Sequence, residues 1–330
     1  MIILRVKVEV KKMIKLRKLE EKDIPYMIEW MSDEELTKYL KNNFSKLANA
    51  EIQKEFIRNS ISDRDINFAI VDNSNDEYLG TISLKNIEKD SKRAEYAICI
   101  RKGVQGKGVS FQATLKILKY AFFDLELENV YLYVSKENVR ANKFYEKFGF
   151  KFDKVENKSL EIKGIMSDIN WYSIDKSNFV KIWKNNEKEI INVKKVRYDP
   201  ITDNRGDLIA LENPKNLKFP LNRVYYMYNV GSDIVRGRHS HYNLDQLLIA
   251  TSGSVVVLVK TPFEEQEYIL DSPNEGLYIG NMIWREMYNF SHDAVLLVLA
   301  SEKYNEDDYI RDYEDYEKEA KRYFKKILKK

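Results

Sequence analysis

The chain changes texture once, near residue 190, and that change limits what it can fold into. Before it, strand-like runs alternate with helical ones. "MIKLRKL", "INFAIVD", "YLGTISLKNI", "RAEYAICIR", "NVYLYVS" and "FKFDKVE" read as strands. "EKDIPYMIEWMSD", "LANAEIQKEFIRNSI" and "NVRANKFYEKF" read as helices. A longer helix is expected from about Gly106 to Leu127, with Phe111, Leu115, Leu118 and Phe122 at helical spacing. After residue 190, short strand-like runs dominate: "NRVYYMYNV", "LDQLLIATSGSVVVLVK", "QEYILDS", "EGLYIG" and "AVLLVLA", separated by turn signals such as "TSGS" and "SPNEG". Evenly spaced short strands point to an all-β sandwich or barrel. The pattern predicts an α/β domain over 13–175, a linker over 176–190 and an all-β domain over 191–330. A length of 330 residues agrees with two domains of roughly 150 each. The tail "DYIRDYEDYEKEAKRYFKKILKK" reads as a solvated helix with a basic end.

Charge narrows the function classes. Lys and Arg number 55 against 52 Asp and Glu, a net of +3, so the balance argues against a nucleic-acid partner. Cys99 is the one cysteine, which rules out a disulfide framework and any zinc site built on cysteine pairs, and fits a reducing cytoplasm. The start, "MIILRVKVEVKK", is too short and too charged for a membrane span and lacks the apolar core of a signal peptide. It alternates like an edge strand. Met13 is an alternative start, because "MIKLRKLEEKDI" reads as a strand followed by a helix cap. A cytoplasmic protein with no membrane partner is expected.

"EYAICIRKGVQGKGVSFQATLKIL" reads as strand, glycine-rich loop and helix. A helix start offers unpaired N–H groups and the positive end of its dipole. Gly106 and Gly108 would let the backbone approach an anion, so a diphosphate fits the amides around Gly106 to Ser110. By itself this is a weak signal, since glycines before a helix often form only a turn. It is neither a P-loop nor a dinucleotide fingerprint.

The next segment makes the reading specific. Gln105-Gly106-Lys107-Gly108-Val109-Ser110, together with "NVRANKFYEKFGF" from Asn138 to Phe150, resembles the two signatures of the GNAT family of N-acetyltransferases. The order of elements agrees over about 13–155. The resemblance implies that the strand edge at Ile98 and Ile100 binds a pantetheine arm. It implies that residues 105–110 hold the pyrophosphate of acetyl-CoA, that Asn138 contacts CoA and that Tyr145 protonates the leaving thiolate. Ser110 departs from the family's smaller residue. A tyrosine is an adequate acid for a thiolate. The other reading of Tyr145 is a core aromatic. No general base stands out; Glu95 lies on the right strand but reads as a surface carboxylate.

The chain has three histidines, and two of them, His239 and His241, are separated by one residue in "RGRHSHYNLDQ". On a strand both point to one face. The spacing His239-x-His241-x4-Gln246-x6-Gly253 follows the metal-binding pattern of cupins, with Gln246 where a carboxylate would stand and Arg285 near the distal histidine position. A neutral amide and an arginine suit a divalent metal badly, so no metal is expected and acid–base work is.

That combination resembles the dTDP-4-keto-6-deoxyhexose 3,4-ketoisomerases, a metal-free cupin branch, over about 193–316. The matching segments include "DNRGDLIALE", "RGRHSHYNLDQLL", "WREM" and "VLASEKYNEDDYIRDY". The fold it implies is a jelly roll joined to the GNAT-like α/β domain. His239 would be the base at carbon 3. His241 and Tyr225 would orient or relay. Arg205, Arg223, Arg285 and Gln246 would bind the nucleotide-sugar or line the pocket. Two bland readings stay open: Arg205 fixing the "DNRG" turn and Tyr225 packed in the core. The configuration produced at carbon 4 also stays open. The resemblance implies a homodimer through the cupin domain. Isomerisation and N-acetylation are the first and last steps on either side of a transamination, so the expected substrates are dTDP-linked 6-deoxyhexoses and a dTDP-3-amino-3,6-dideoxyhexose. The alternative is an acetyltransferase whose β domain only binds sugar nucleotide.

Overall fold

A computed structural model of the protein describes residues 14–327 apart from 42, 43, 163, 213 and 214. The edge strand expected before Met13, and Met13 itself, lie outside the described residues. The chain divides into two compact units, one ending at Ile182 and the next starting at Trp183.

The first unit runs β1 (Ile14–Lys18), α1 (Ile24–Met31), α2 (Glu34–Thr37), α3 (Phe44–Leu47), α4 (Ala50–Arg58), β2 (Ile66–Asp72), β3 (Tyr78–Glu88), β4 (Arg93–Ile100), α5 (Val109–Lys119), β5 (Asn129–Ser135), α6 (Val139–Phe148), β6 (Lys151–Ile162) and β7 (Ile165–Asp175). Local chemistry sets several boundaries. Asn49 caps α4 by accepting from the amides of Glu51 and Ile52, and Asn138 caps α6 by accepting from Ala141 N. The helix expected over 106–127 starts at Val109, because Gly106 and Gly108 hold φ near +78°. It passes into a π-type turn over Tyr120–Asp124. The stretch expected as a linker contains a helix, α7 (Lys176–Asn185).

The seven strands form one sheet in the order β1-β2-β3-β4-β5-β7-β6. Strand β7 was not predicted; Ser167, Asp168 and Asn170 break its alternation, and it is a strand because it pairs with β5 and β6. The central feature is a parting of strands. β4 and β5 pair in parallel only from Arg93↔Asn129 to Glu95↔Tyr131. β4 stays paired to β3 as far as Ile100↔Gly80. Beyond Glu95 the edge of β4 that faces β5 has no ladder among the described residues.

The second unit holds β8 (Val193–Arg197), the hairpin β9 (Ile201–Asp203) and β10 (Gly206–Leu208), β11 (Arg223–Tyr228), β12 (Arg236–His241), β13 (Gln246–Ser252), β14 (Val255–Lys260), β15 (Glu265–Leu270), β16 (Glu275–Ile279), β17 (Trp284–Tyr288), β18 (Val295–Ala300), β19 (Tyr309–Ile310) and α8 (Tyr313–Ile327). Two five-stranded antiparallel sheets result, β11-β18-β13-β16-β8 and β15-β14-β17-β12-β19. This is the expected jelly roll. Its core is Val255, Val257 and Val259 from β14 with Leu248, Leu277, Leu296 and Val298 from the facing sheet. The tail helix is solvated on one face only. Tyr316, Ala320 and Phe324, spaced four apart, are fully buried in the same core, and Tyr316 donates to Lys260 O at 2.6 Å.

Candidate functional site

In the first unit the candidate site is built largely from backbone. No side chain caps α5, so its first-turn amides are the donors a helix start offers to an anion. A Cβ added at Gly106 or Gly108 would meet nothing within 4 Å; the glycines are needed for their left-handed backbone, and space above them is open. Val109 is buried and contributes only its amide. Ser110 O accepts from Thr114 Oγ1 at 2.7 Å. Gln105 is held in place by donating to Ile100 O at 3.3 Å and accepting from Arg140. Lys107 Nζ donates to Gly103 O at 2.7 Å. Ile98 and Ile100 lie on the part of β4 that has parted from β5. The uncapped helix start and the open β4 edge fit a pyrophosphate followed by an extended amide-bearing chain.

Asn138 has a structural duty that the motif reading did not include: its Oδ1 caps α6, and its carbonyl accepts from Asn142 Nδ2 at 2.8 Å. Tyr145 is buried among Tyr96, Phe150 and Tyr172, with ring centroids about 6 Å away. Its hydroxyl has no hydrogen-bond partner among the described residues. Burial pushes the phenol well above its ordinary value, which keeps it protonated. Burial also pushes the Cys99 thiol up to about 12, so it is no nucleophile at neutral pH. Glu95 accepts from Asn86 Nδ2 at 2.9 Å at the surface.

In the second unit, side chains from distant strands converge. A bulge at Gly237–His239 aims β12 inward. Gly237 has φ +87°, and a Cβ there would lie 2.7 Å from Arg285 O. The His239 and His241 rings meet edge to face at 4.9 Å between centroids. His239, half-buried, places Nδ1 3.0 Å from Gly237 O. A carbonyl only accepts, so Nδ1 carries the proton and Nε2 keeps its lone pair. His241 is 1% exposed; its Nδ1 lies 3.1 Å from Asp308 Oδ2, and its Nε2 is buried without a partner.

Arg285 sits opposite His239 on β17 and is 1% exposed. None of its three guanidinium nitrogens has a hydrogen-bond partner. Burial lowers its pKa to about 10. Burial and this guanidinium together lower His239 to about 4 and push His241 further down. Both imidazoles are therefore neutral at pH 7. Tyr225 projects from β11 on the same inner side as Arg223 and accepts from Gln246 Nε2 at 2.8 Å. Arg223 Cζ lies 5.1 Å from the Tyr225 ring centroid. A buried cation beside the histidines, and a glutamine whose amide is already donating, suit a divalent metal poorly; among the described residues no group of three His, Cys, Asp or Glu side chains could hold one.

Arg205 is the residue that the structure does not bring to this cluster. It is exposed in the β9–β10 turn and pairs with Asp203 in the same turn, the bland reading of the "DNRG" segment. Four residues that the sequence reading did not single out border the cluster: Asp308 and Tyr309 beside the histidines, Tyr304 with its ring 5.7 Å from Arg223 Cζ, and Arg311 with its Cζ 4.4 Å from the Tyr309 ring. The Tyr309 ring lies 4.2 Å from His241 and 4.9 Å from His239, because β19 pairs with β12 through His241↔Tyr309. Nothing in the local sequence marks these residues; only the broad likeness over 193–316 covered them.

Fold and sites define an acetyltransferase-type α/β unit fused to a cupin-type β unit. A family model described as the acetyltransferase (GNAT) domain matches residues 14–151. One described as FdtA, WxcM-like, C-terminal, matches 187–321. The chain is 44% identical over 132 residues to a TDP-4-oxo-6-deoxy-alpha-D-glucose-3,4-oxoisomerase of Aneurinibacillus thermoaerophilus, covering 40% of this chain and 91% of that protein. It is 30% identical over 138 residues to the spermidine N(1)-acetyltransferase of Escherichia coli K12, covering 42% of this chain and 72% of that protein. Among solved structures, the sugar 3,4-ketoisomerase QdtA of Thermoanaerobacterium thermosaccharolyticum in complex with TDP aligns with 46% identity and a TM-score of 0.41, over 41% of this chain and 99% of that one. The chain belongs to both families, GNAT acetyltransferase in its N-terminal unit and FdtA/WxcM-like in its C-terminal unit.

Proposed function

We propose that the protein is a bifunctional sugar-nucleotide enzyme. Its C-terminal unit moves the ketone of dTDP-4-keto-6-deoxyglucose from carbon 4 to carbon 3. Its N-terminal unit uses acetyl-CoA to N-acetylate a dTDP-3-amino-3,6-dideoxyhexose. The observation that carries this reading is a pair of neutral histidines beside a buried arginine with no protein acceptor. An unpaired buried ion costs several kcal/mol, and a ligand oxygen that takes on negative charge offsets that cost.

In the isomerase, His239 Nε2 takes the proton from carbon 3, which the neighbouring ketone acidifies. Charge moves to the carbonyl oxygen, where Arg285 stabilises it without reorganising. A proton returned to carbon 4, with the O3 hydroxyl proton relayed through His241 to O4, completes the exchange of ketone and alcohol. Tyr225 and Gln246 orient the sugar, and Arg223 serves the nucleotide part. In the acetyltransferase, Ile98 and Ile100 on the open β4 edge hold the pantetheine arm, and the amides from Gln105 to Ser110 hold the diphosphate. Tyr145 gives its proton to the departing thiolate. Acetyl transfer is direct, since Cys99 stays protonated. Boundaries at 13–175 and 191–330, a cytoplasmic setting and a homodimer through the cupin unit belong to the same reading. No helix among the described residues is long and apolar enough to cross a membrane.

The test is proton NMR with dTDP-4-keto-6-deoxyglucose in deuterated water. A 3-keto product with deuterium in the ring is expected, and its couplings give the configuration at carbon 4. Binding without exchange would reduce the β unit to a binding module. For the other unit, acetyl-CoA turnover with the dTDP-3-amino sugar but not with spermidine is expected; the reverse preference overturns the acceptor.

A further inference from the structure

We propose that Asp308 is a positioning residue of the isomerase site: it fixes the His241 relay in the Nδ1–H tautomer and so keeps the lone pair on its Nε2. This rests on the ketoisomerase reading. Moving a ketone between neighbouring carbons needs two transfers. The C3–H and O3–H bonds break, and C4–H and O4–H bonds form, with no net gain or loss of protons or electrons. His239 serves the carbon pair. The oxygen pair needs a second group with a lone pair and a way to carry a transient proton.

His241 has both. Its Nε2 is buried, unpartnered and beside His239. Its Nδ1 points at Asp308 Oδ2, 3.1 Å away, with the carboxylate side chain 12% exposed. An ionised carboxylate only accepts, so it demands a proton on Nδ1 and stabilises the imidazolium when Nε2 takes a second one. Asp308 is itself held. Its Oδ1 accepts from Asn243 N at 2.9 Å and from Asn243 Nδ2 at 3.1 Å. Backbone pairing of β19 with β12 sets its register, and Tyr242 N donates to Asp308 O at 3.0 Å. Tyr309, the next residue, lies against both imidazoles. One short segment thus sets both the tautomer and the orientation of the pair.

The clamp on Oδ1 makes the effect of an amide definite. In Asp308→Asn the carbonyl oxygen stays with the two Asn243 donors, so the NH2 group faces His241. That amide can only donate, which places the proton on Nε2 and removes the lone pair.

The experiment is nitrogen NMR on the full chain labelled at histidine, assigned with His239→Gln and His292→Gln, beside turnover. In the wild type, His241 is expected neutral with Nδ1 protonated. In D308N it is expected with Nε2 protonated, a kcat lower by about 10²- to 10⁴-fold and KM within about threefold. An Nε2–H tautomer in the wild type overturns the proposal, and this measurement needs no variant to fold. A D308N protein that keeps Nδ1–H, or loses less than about threefold in kcat, overturns it as well. Absence of isomerisation by the wild type would sink the ketoisomerase reading instead, leaving the tautomer assignment standing.

Discussion

The two units build their sites from different materials. In the GNAT unit the proposed cofactor site is backbone: left-handed glycines at 106 and 108, the uncapped start of α5 and a strand edge exposed where β4 leaves β5. In the cupin unit the site is side chain: two imidazoles, a guanidinium, a phenol and a carboxylate drawn from β11, β12, β17 and the segment before β19. A backbone site depends on conformation and tolerates many side chains. A side-chain site depends on individual groups and their protonation states. The same kind of substitution should therefore have opposite consequences in the two halves.

Histidine 239 gives the sharpest contrast. His239→Asn is expected to lower isomerase kcat by about 10²- to 10⁴-fold, the usual range for a proton-transfer group, and to leave acetyl-CoA turnover unchanged. Equal loss of both activities would break the comparison. Arg285→Met comes next. Removing one preorganised charge stabiliser is expected to cost about 10²- to 10³-fold in kcat. The variant is also expected to melt at a higher temperature, since an unpaired buried ion is replaced by an apolar chain; a lower Tm would mean that Arg285 has a structural partner.

Glycine replacements probe the other half. Gly108→Ala forces a non-glycine residue into a left-handed backbone, at a cost of roughly 1–2 kcal/mol, so the KM for acetyl-CoA is expected to rise about tenfold. Isomerisation should be unaffected. Lys107→Ala should change either activity by less than about threefold, because Nζ is already bonded to Gly103 O. A large loss there would show that a side chain, and not the backbone, holds the anion.

Acidity separates the halves in a graded way. His239 is lowered to about 4 from an ordinary 6.5 by burial and Arg285, so its proton-accepting form dominates above about pH 4. Isomerase kcat/KM is expected to stay flat from pH 8 to about 5, where an unperturbed histidine would already be losing activity. The stability sign follows. The unfolded chain binds protons on these histidines that the folded chain refuses. Stability is therefore complete above about 6.5 and declines as pH falls from there toward 4. A midpoint near 6.5 in the isomerase profile would show that the pair is not desolvated.

Much of this was legible from residues alone. Periodicity marked the α/β-to-β transition, because amphipathic spacing is local. Gly106 and Gly108 were legible for the same reason: a turn and the helix after it are neighbours in sequence. His239 and His241 shared a face by strand parity, and the structure brings Arg285, Tyr225 and Gln246 to them. Asp308 and Tyr309 were not legible. They lie 67 and 68 residues beyond His241, in a run of acids and tyrosines that looks like any solvated surface. Strand β7 was missed too, since polar residues hide its pairing with β5 and β6.

Local patterning along the chain accounts for the element types, the two fold classes and the chemical nature of each candidate site. These follow from hydrophobic spacing, turn residues and the functional groups present. Tertiary structure decided which of those groups work together. It put Arg205 on an outer turn, made Asn138 a helix cap and buried Arg285 with no acceptor. It held both histidines neutral and placed Asp308 behind His241. Desolvation and long-range strand pairing cause these outcomes. Both depend on what lies across the barrel rather than along the chain.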